Sequence, residues 1–275
     1  SVYGTTESPF YFRDNRNKLV SISRYVRHKR RKDMKIGMVA GNIRDNKIEE
    51  QIKGIEYYLS NNPDCDLLCF GEDFLHGFHG MSWKFEIDIC RAITIDSQPI
   101  KKIRELAKKF NCAVSFGYIE RFNDKIYCSN MVIDRHGDIL DNYRRISEGW
   151  KSNWIDTRYS EGKSFHVFEL EGKQFVTAIC GDLWSDHLIN DIETISEGVD
   201  AVLWPLYIDY SPDSWILNAR QEYADQVSSI TVPILMINSY SVDENEAKGG
   251  CCVFNKGEIT KELPIGVSGI LMMDL

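Results

Sequence analysis

The stretch "TAICGDLW" (177–184) ends an apolar run on a cysteine and turns at once through Gly-Asp. An apolar run of that kind reads as a buried strand, and Gly-Asp directly after it reads as a chain reversal. Its flanks set the fold class. Upstream, "FHVFEL" (165–170), a turn at Glu171–Lys173 and "QFVTAIC" (174–180) read as a hairpin. Downstream, residues 186–198 read as a helix, "DAVLWPL" (200–206) as a strand, 212–229 as a second helix and "VPILMINSY" (232–240) as another strand. Hairpins mixed with strand–helix–strand units predict an α/β fold with mixed sheets, not a fully parallel doubly wound one.

The rest of the chain reads the same way. "MKIGMVAGNI" (34–43), "CDLLCFGE" (65–72), "CAVSFGYIE" (112–120) and "IYCSNMVID" (126–134) are strands. "RHGD" (135–138) turns the last of these into "ILDNYRRI" (139–146). Residues 45–61 carry Ile48, Ile52, Ile55 and Leu59 on one helical face, and 97–110 carry Ile100, Ile103, Leu106, Ala107 and Phe110 on another. Ser97 stands where an N-cap belongs, with Pro99 in the first turn. "GGCCVFNKGEITKEL" (249–263) is a hairpin and "GILMMDL" (269–275) a last strand.

Composition excludes several classes. The 275 residues are 43% hydrophobic and 27% charged, as expected of a globular chain. No apolar run approaches the ~18–20 residues of a membrane span, so no membrane association is expected. The first residues lack the basic-then-apolar pattern of a secretory leader. The eight cysteines sit mostly in strand-like runs, and Cys65–Cys69 has no His cluster to complete a zinc site, so no metal is expected. Unpaired thiols in a chain this long point to a reducing, cytoplasmic compartment. No Gly-rich phosphate motif opens a helix.

Charge is unevenly spread. Residues 1–33 hold nine basic and three acidic residues, leaving 24 and 38 in the rest, so the two parts carry +6 and −14. "RYVRHKRRK" (24–32) could serve as a nucleic-acid arm or as an extension lying on an acidic body. The second reading is preferred, because no nucleic-acid-binding pattern follows. The chain thus divides into a basic N-terminal extension, 1–33, and one domain, 34–275.

Ligands of α/β sheets gather at the carboxyl ends of strands. Three polar groups fall at such ends: Glu72 after "CDLLCF", Arg145 after "ILDNY" and Cys180 after "FVTAI". Taken singly they read as a solvated acid, a surface cation and a buried thiol. Together, a thiol, a carboxylate base and a cation for developing negative charge would form an acyl-transfer site.

These residues carry a resemblance. From about Met34 onward the chain resembles the nitrilase superfamily of carbon–nitrogen hydrolases. "LLCFGEDFLHGF" (67–78) is similar to the family's first motif, a strand running into an acid, with Gly71 where proline is usual. "AICGDLW" (178–184) is similar to its cysteine motif, with an Asp two residues on. "GVDAVLWPL" (198–206), "NARQEYADQVSSITVPILMIN" (218–238) and "GGCCVFNKGEI" (249–259) resemble later family segments. The middle motif departs: where the family has Tyr-Arg-Lys, "NYRRI" (142–146) puts Arg145 at the position of the catalytic lysine.

The resemblance implies a four-layer α-β-β-α sandwich with two mixed β-sheets, and a homodimer or higher homo-oligomer. It implies Glu72 as base, Arg145 as oxyanion donor and Cys180 as nucleophile toward a small amide, ureido compound or nitrile, with no metal or organic cofactor. Lys151 could stand in for the missing lysine, and Glu148, Asp156 and Glu161 are candidates for a second acid. Trp184, Trp204, Tyr207 and Tyr210 are expected around the pocket rim, with Trp204 and Tyr207 assigned to substrate. Asp209 could meet a cationic substrate. The alternatives are a non-catalytic module binding a ligand or partner, an acyltransferase using the same thioester and, more remotely, a nucleic-acid binder.

Overall fold

Along the buried strands, odd and even residues part to opposite faces, and that separation builds the layers. The computed structural model describes residues 11–13, 19–21 and 33–275, apart from 153 and 244–245. They fall in two units, Ser1–Lys32 and Asp33–Leu275. In the first, β1 (Tyr11–Arg13) pairs antiparallel with β2 (Leu19–Ser21). The basic stretch 24–32 lies outside the described residues.

In the second unit, β3 (Lys35–Ala40), β4 (Leu67–Phe70), β5 (Ala113–Phe122), β6 (Lys125–Ile133) and β7 (Ile139–Arg144) form one sheet. The final strand β14 (Gly269–Asp274) joins its edge, giving the order β14-β3-β4-β5-β6-β7. The other sheet holds β8 (Val167–Leu170), β9 (Lys173–Thr177), β10 (Ala201–Leu206), β11 (Ile234–Asn238), β12 (Cys251–Asn255) and β13 (Glu258–Leu263). Its order is β13-β12-β11-β10-β9-β8. Both sheets are mixed: β3-β4-β5 and β9-β10-β11 run parallel, and the outer pairs are antiparallel.

Between the sheets, Ile36, Met38, Leu67 and Cys69 meet Leu203, Leu235, Cys251 and Val253. On the outer face of the first sheet, Val39, Leu68 and Phe70 meet Ile52, Ile55 and Leu59 of α1 (Ile48–Asn61) and Ile100 and Ile103 of α3 (Gln98–Phe110). On the outer face of the second, Val202, Trp204 and Ile234 meet Ile189 and Ile192 of α4 (Asp186–Ser196). The same core takes in Trp215 and Tyr223 from a continuous helix: α5 (Pro212–Ser214), a π turn (Trp215–Ala219) and α6 (Arg220–Gln226). This is the α-β-β-α sandwich expected from the resemblance, and all eight cysteines in it are free thiols. No helix among the described residues is long and apolar enough to cross a membrane.

Three local expectations change. Strand β9 stops at Thr177, three residues short of Cys180, because the chain leaves the sheet to make a turn. Ser97 occupies the N-cap position of α3, but its hydroxyl is buried without a partner among the described residues and makes no capping bond. A short helix, α2 (Phe85–Arg91), fills a stretch with no periodic signal; its buried Asp88 is held by Ser82 and by the Tyr159 hydroxyl at 2.8 Å.

The turn after β4 lies flat on β5. Gly117 donates to the Gly71 carbonyl at 3.2 Å and accepts from Leu75 at 3.1 Å. A Cβ at 117 would come within 2.7 Å of the Gly71 oxygen and 2.8 Å of the Glu72 carbonyl carbon. Gly117→Ala therefore lifts this turn off the strand. The expected cost is about 1–3 kcal/mol in urea denaturation, with lost turnover in whatever remains folded; a variant as stable and active as the parent contradicts the packing described.

Candidate active site

The first sheet delivers Glu72 and Arg145, and the second delivers Cys180. Glu72 follows β4 by two residues and is 1% exposed, so its carboxylate needs partners inside the protein. Its Oε1 accepts from Arg145 Nη1 at 2.8 Å and from Cys128 Sγ at 3.5 Å, while Oε2 has no partner among the described residues. Gly71 before it makes the crossing to the second sheet: a Cβ there would stand 2.6 Å from Ser239 Oγ.

Arg145 follows β7 directly. Its N–H donates to the Cys128 carbonyl at 2.9 Å, its Nε donates to Ser147 Oγ at 2.8 Å, and its Nη2 lies where a Cβ on Gly181 would come within 2.5 Å. Burial opposes its charge, but Glu72 and then Cys180 outweigh that and raise its pKa further. The guanidinium is thus a fixed cation between the acid and the thiol.

Cys180 opens a 3₁₀ turn (Cys180–Trp184) with φ +42°, a left-handed conformation that costs a non-glycine residue free energy. Two contacts hold it there. The Trp204 indole donates to the Cys180 carbonyl at 2.9 Å, and the N–H of Ile179 donates to Asp182 Oδ2 at 2.8 Å. The Glu72 and Arg145 charges both act on the thiol. Its pKa is pushed up to about 12, by burial first and Glu72 next, with Arg145 and the Tyr207 N–H pulling it down. At rest the group is a thiol that needs a base, not a preformed thiolate.

Asp182 joins the two halves. It is fully buried; Oδ2 also accepts from the Tyr143 hydroxyl at 2.6 Å, and Oδ1 accepts from the N–H groups of Ile146 (3.1 Å) and Ser147 (2.8 Å). One carboxylate thus fixes the chain on both sides of the Arg145 segment and the residue before Cys180.

Other expected residues stand elsewhere. Trp204 is not at a rim: it is fully buried on the helix-facing side of β10, under Cys180, and positions the turn. The Tyr207 ring stacks on Phe78 at 4.0 Å, and its hydroxyl accepts from the Ala247 N–H at 3.1 Å, leaving its N–H as the part that faces the thiol. Lys151 is paired with Glu161 at 2.7 Å, and that carboxylate also accepts from Trp150 at 3.2 Å. Glu148 is exposed, and Asp156 is exposed in a pair with Arg158. None of these three acids bonds Glu72, Arg145 or Cys180.

The buried acid beside the site is Asp73, which the sequence reading missed although it adjoins Glu72. Burial and the Glu72 charge hold its pKa well above the carboxylate range. Cys128 lies 3.5 Å from both acids. Glu72, Asp73 and Cys128 place their ligand atoms within 4.8 Å of one another, the spacing of a metal site. Their chemistry fits a cation poorly: burial raises the pKa of both Asp73 and Cys128, which favours their neutral forms, and Arg145 already occupies Glu72.

The chain is similar to several known proteins. The family described as carbon-nitrogen hydrolase matches residues 35–205. An arylacetone-specific nitrilase of Alcaligenes faecalis is 24% identical over 200 residues, 68% of this chain and 55% of that protein. A citrullinase of Francisella tularensis subsp. tularensis is 26% identical over 168 residues, 56% of each chain. The chain spans about half the length of these relatives. The crystal structure of an amidase from Nesterenkonia sp. superposes with a TM-score of 0.72 at 16% identity, covering 90% of this chain and 92% of that one, a likeness of fold. A mutant of that amidase shows covalent addition of the acetamide moiety of fluoroacetamide at its active site cysteine.

Asp182→Asn keeps the shape but turns one acceptor oxygen into a donor facing N–H or O–H groups. The expected loss is about 3–5 kcal/mol of stability, read by urea denaturation, together with activity. A loss under about 1 kcal/mol would mean that this clamp does not hold the two strand ends together.

Proposed function

This chain belongs to the carbon–nitrogen hydrolase family, and from that premise we propose that it hydrolyses a non-peptide C–N bond of a small amide, ureido compound or nitrile through Cys180. The observation that carries the reading is the ion pair of buried Glu72 and Arg145 at 2.8 Å, whose two charges act on the half-buried Cys180 thiol. In this mechanism Cys180 Sγ attacks the carbon while Glu72 takes the thiol proton. The Arg145 guanidinium offsets the charge that develops on the substrate oxygen or nitrogen. Glu72 returns the proton to the leaving nitrogen, the C–N bond of an amide breaks, and ammonia or an amine departs from a thioester. Water, deprotonated by Glu72, then attacks the thioester carbon; the acid leaves and the thiol is restored.

Arginine in place of lysine is compatible with this chemistry. It is planar and permanently charged, and reaches Glu72 and Ser147 at once, while Gly181 leaves room for its third nitrogen. A purely ligand-binding role is the weaker reading, since it leaves a thiol under the charges of Glu72 and Arg145 without a task. The homo-oligomer and reducing compartment expected from the sequence belong to the same proposal.

Ammonia or amine release from aliphatic amides, ω-amides, ureido acids and nitriles tests the reading. Wild type is expected to turn over at least one class, and Cys180→Ala and Glu72→Gln none. Arg145→Gln is expected to lose about 10²–10³ in kcat. Full turnover by Cys180→Ala on a confirmed substrate overturns the mechanism.

A further inference from the structure

Glu72 alone does not fix the Arg145 guanidinium. One hydrogen bond joins the pair, Nη1 to Oε1 at 2.8 Å, and Oε2 has no partner among the described residues. A two-point fork would lock both planes, whereas a single bond leaves the guanidinium free to turn about it. The second point comes from Ser147, whose Oγ accepts from Arg145 Nε at 2.8 Å. Bonds at Nε and Nη1 together fix a planar group, so the third nitrogen, Nη2, has one direction left. That direction is the cysteine turn. A Cβ on Gly181, the residue after Cys180, would come within 2.5 Å of Nη2, and one on Gly149 within 3.5 Å.

Ser147 is itself held against that turn. Its N–H donates to Asp182 Oδ1 at 2.8 Å, and its Oγ would lie 3.1 Å from the same Cβ on Gly181. Its backbone is extended, with φ −68° and ψ 136°, directly before the 3₁₀ turn Glu148–Trp150. It stands two residues after Arg145 where the chain leaves β7, a spacing that puts two side chains on one side of extended backbone. Asp182 therefore reaches the guanidinium through Ser147: carboxylate to N–H, then hydroxyl to Nε.

We propose that Ser147 is a positioning residue whose hydroxyl holds the plane of the Arg145 guanidinium, so that Nη2 points at the Cys180 turn, where negative charge develops on the substrate. This rests on the hydrolase reading above and adds to it a residue that acts only through the arginine. The role matters because a donor turned away from the developing charge loses most of its effect on the transition state.

Ser147→Ala removes the hydroxyl and keeps the N–H bond to Asp182, so it isolates the contact to Nε. On a substrate that wild type turns over, kcat is expected to fall about tenfold with KM within about twofold. Ser147→Thr, which keeps the hydroxyl, should restore most of kcat. In an Arg145→Lys background the same change to alanine should cost less than about twofold, since an ammonium is a point charge with no plane to hold. An unchanged kcat, a loss in KM alone, or an equal loss in the lysine background overturns the proposal and leaves the hydrolase reading intact.

If wild type turns over no substrate, the hydrolase reading has failed, and addition of acrylamide to Cys180, followed by mass, decides the role of Ser147. In that addition Sγ bonds the terminal carbon, and charge passes to the amide oxygen before the neighbouring carbon is protonated. Methyl methanethiosulfonate modifies the same thiol without charging an oxygen of that kind. Slowing of the acrylamide addition by about tenfold in Ser147→Ala, with the thiosulfonate rate unchanged, upholds the role. Equal slowing of both reagents, no slowing of either, or no acrylamide addition at all overturns it.

Discussion

The candidate site depends on one fully buried carboxylate. Asp182 takes four hydrogen bonds in the interior, from Tyr143, Ile146, Ser147 and Ile179. Three of these donors lie beside Arg145 at the end of a strand in one sheet. The fourth precedes Cys180 at the end of a strand in the other. Two sheets stacked through apolar contacts can slide with little change in buried area, since such packing is not directional. Hydrogen bonds to one rigid carboxylate remove that freedom and hold Cys180 at its positive φ.

Electrostatics explains the rest of the arrangement. Three acids, two thiols and one guanidinium share a water-poor volume, and each acid is handled differently. Asp182 is met by N–H and O–H donors and Glu72 by Arg145, while burial and the Glu72 charge raise the pKa of Asp73 toward its neutral form. The same surroundings set the resting state of Cys180, the proposed nucleophile. Burial and Glu72 favour the thiol over the thiolate more than Arg145 opposes it, so the carboxylate that suppresses ionisation is also the proposed base.

Much of this was legible in the sequence because period-2 and period-3.6 patterns report burial directly. The largely apolar strands β3, β4, β10 and β11 and the faces of α1 and α3 fall where their patterns put them. The same alternation could have placed Trp204: it shares a face with Val202 and Leu206, toward the helices, and proximity to Tyr207 along the chain was the wrong guide. What resisted reading depends on contacts distant in sequence. The apolar run through Ile179 leaves the sheet after Thr177 because Ile179 bonds a side chain rather than a strand. Helix α2 is short and organised around a buried Asp88 whose partner Tyr159 lies 71 residues away. Asp73 is invisible as a site residue until Cys128 and Glu72 are folded against it.

The most direct test of the account is the ultraviolet thiolate absorbance of Cys180, taken as the difference between wild type and Cys180→Ala across pH. Its pKa is raised from the ordinary 9.0 to about 12, so the proton is retained throughout the neutral range and given up only as pH approaches that value. The account predicts no Cys180 thiolate signal below about pH 10. One full thiolate at neutral pH would contradict it: Arg145 would then have prevailed over burial and Glu72, and the nucleophile would exist before any base acts.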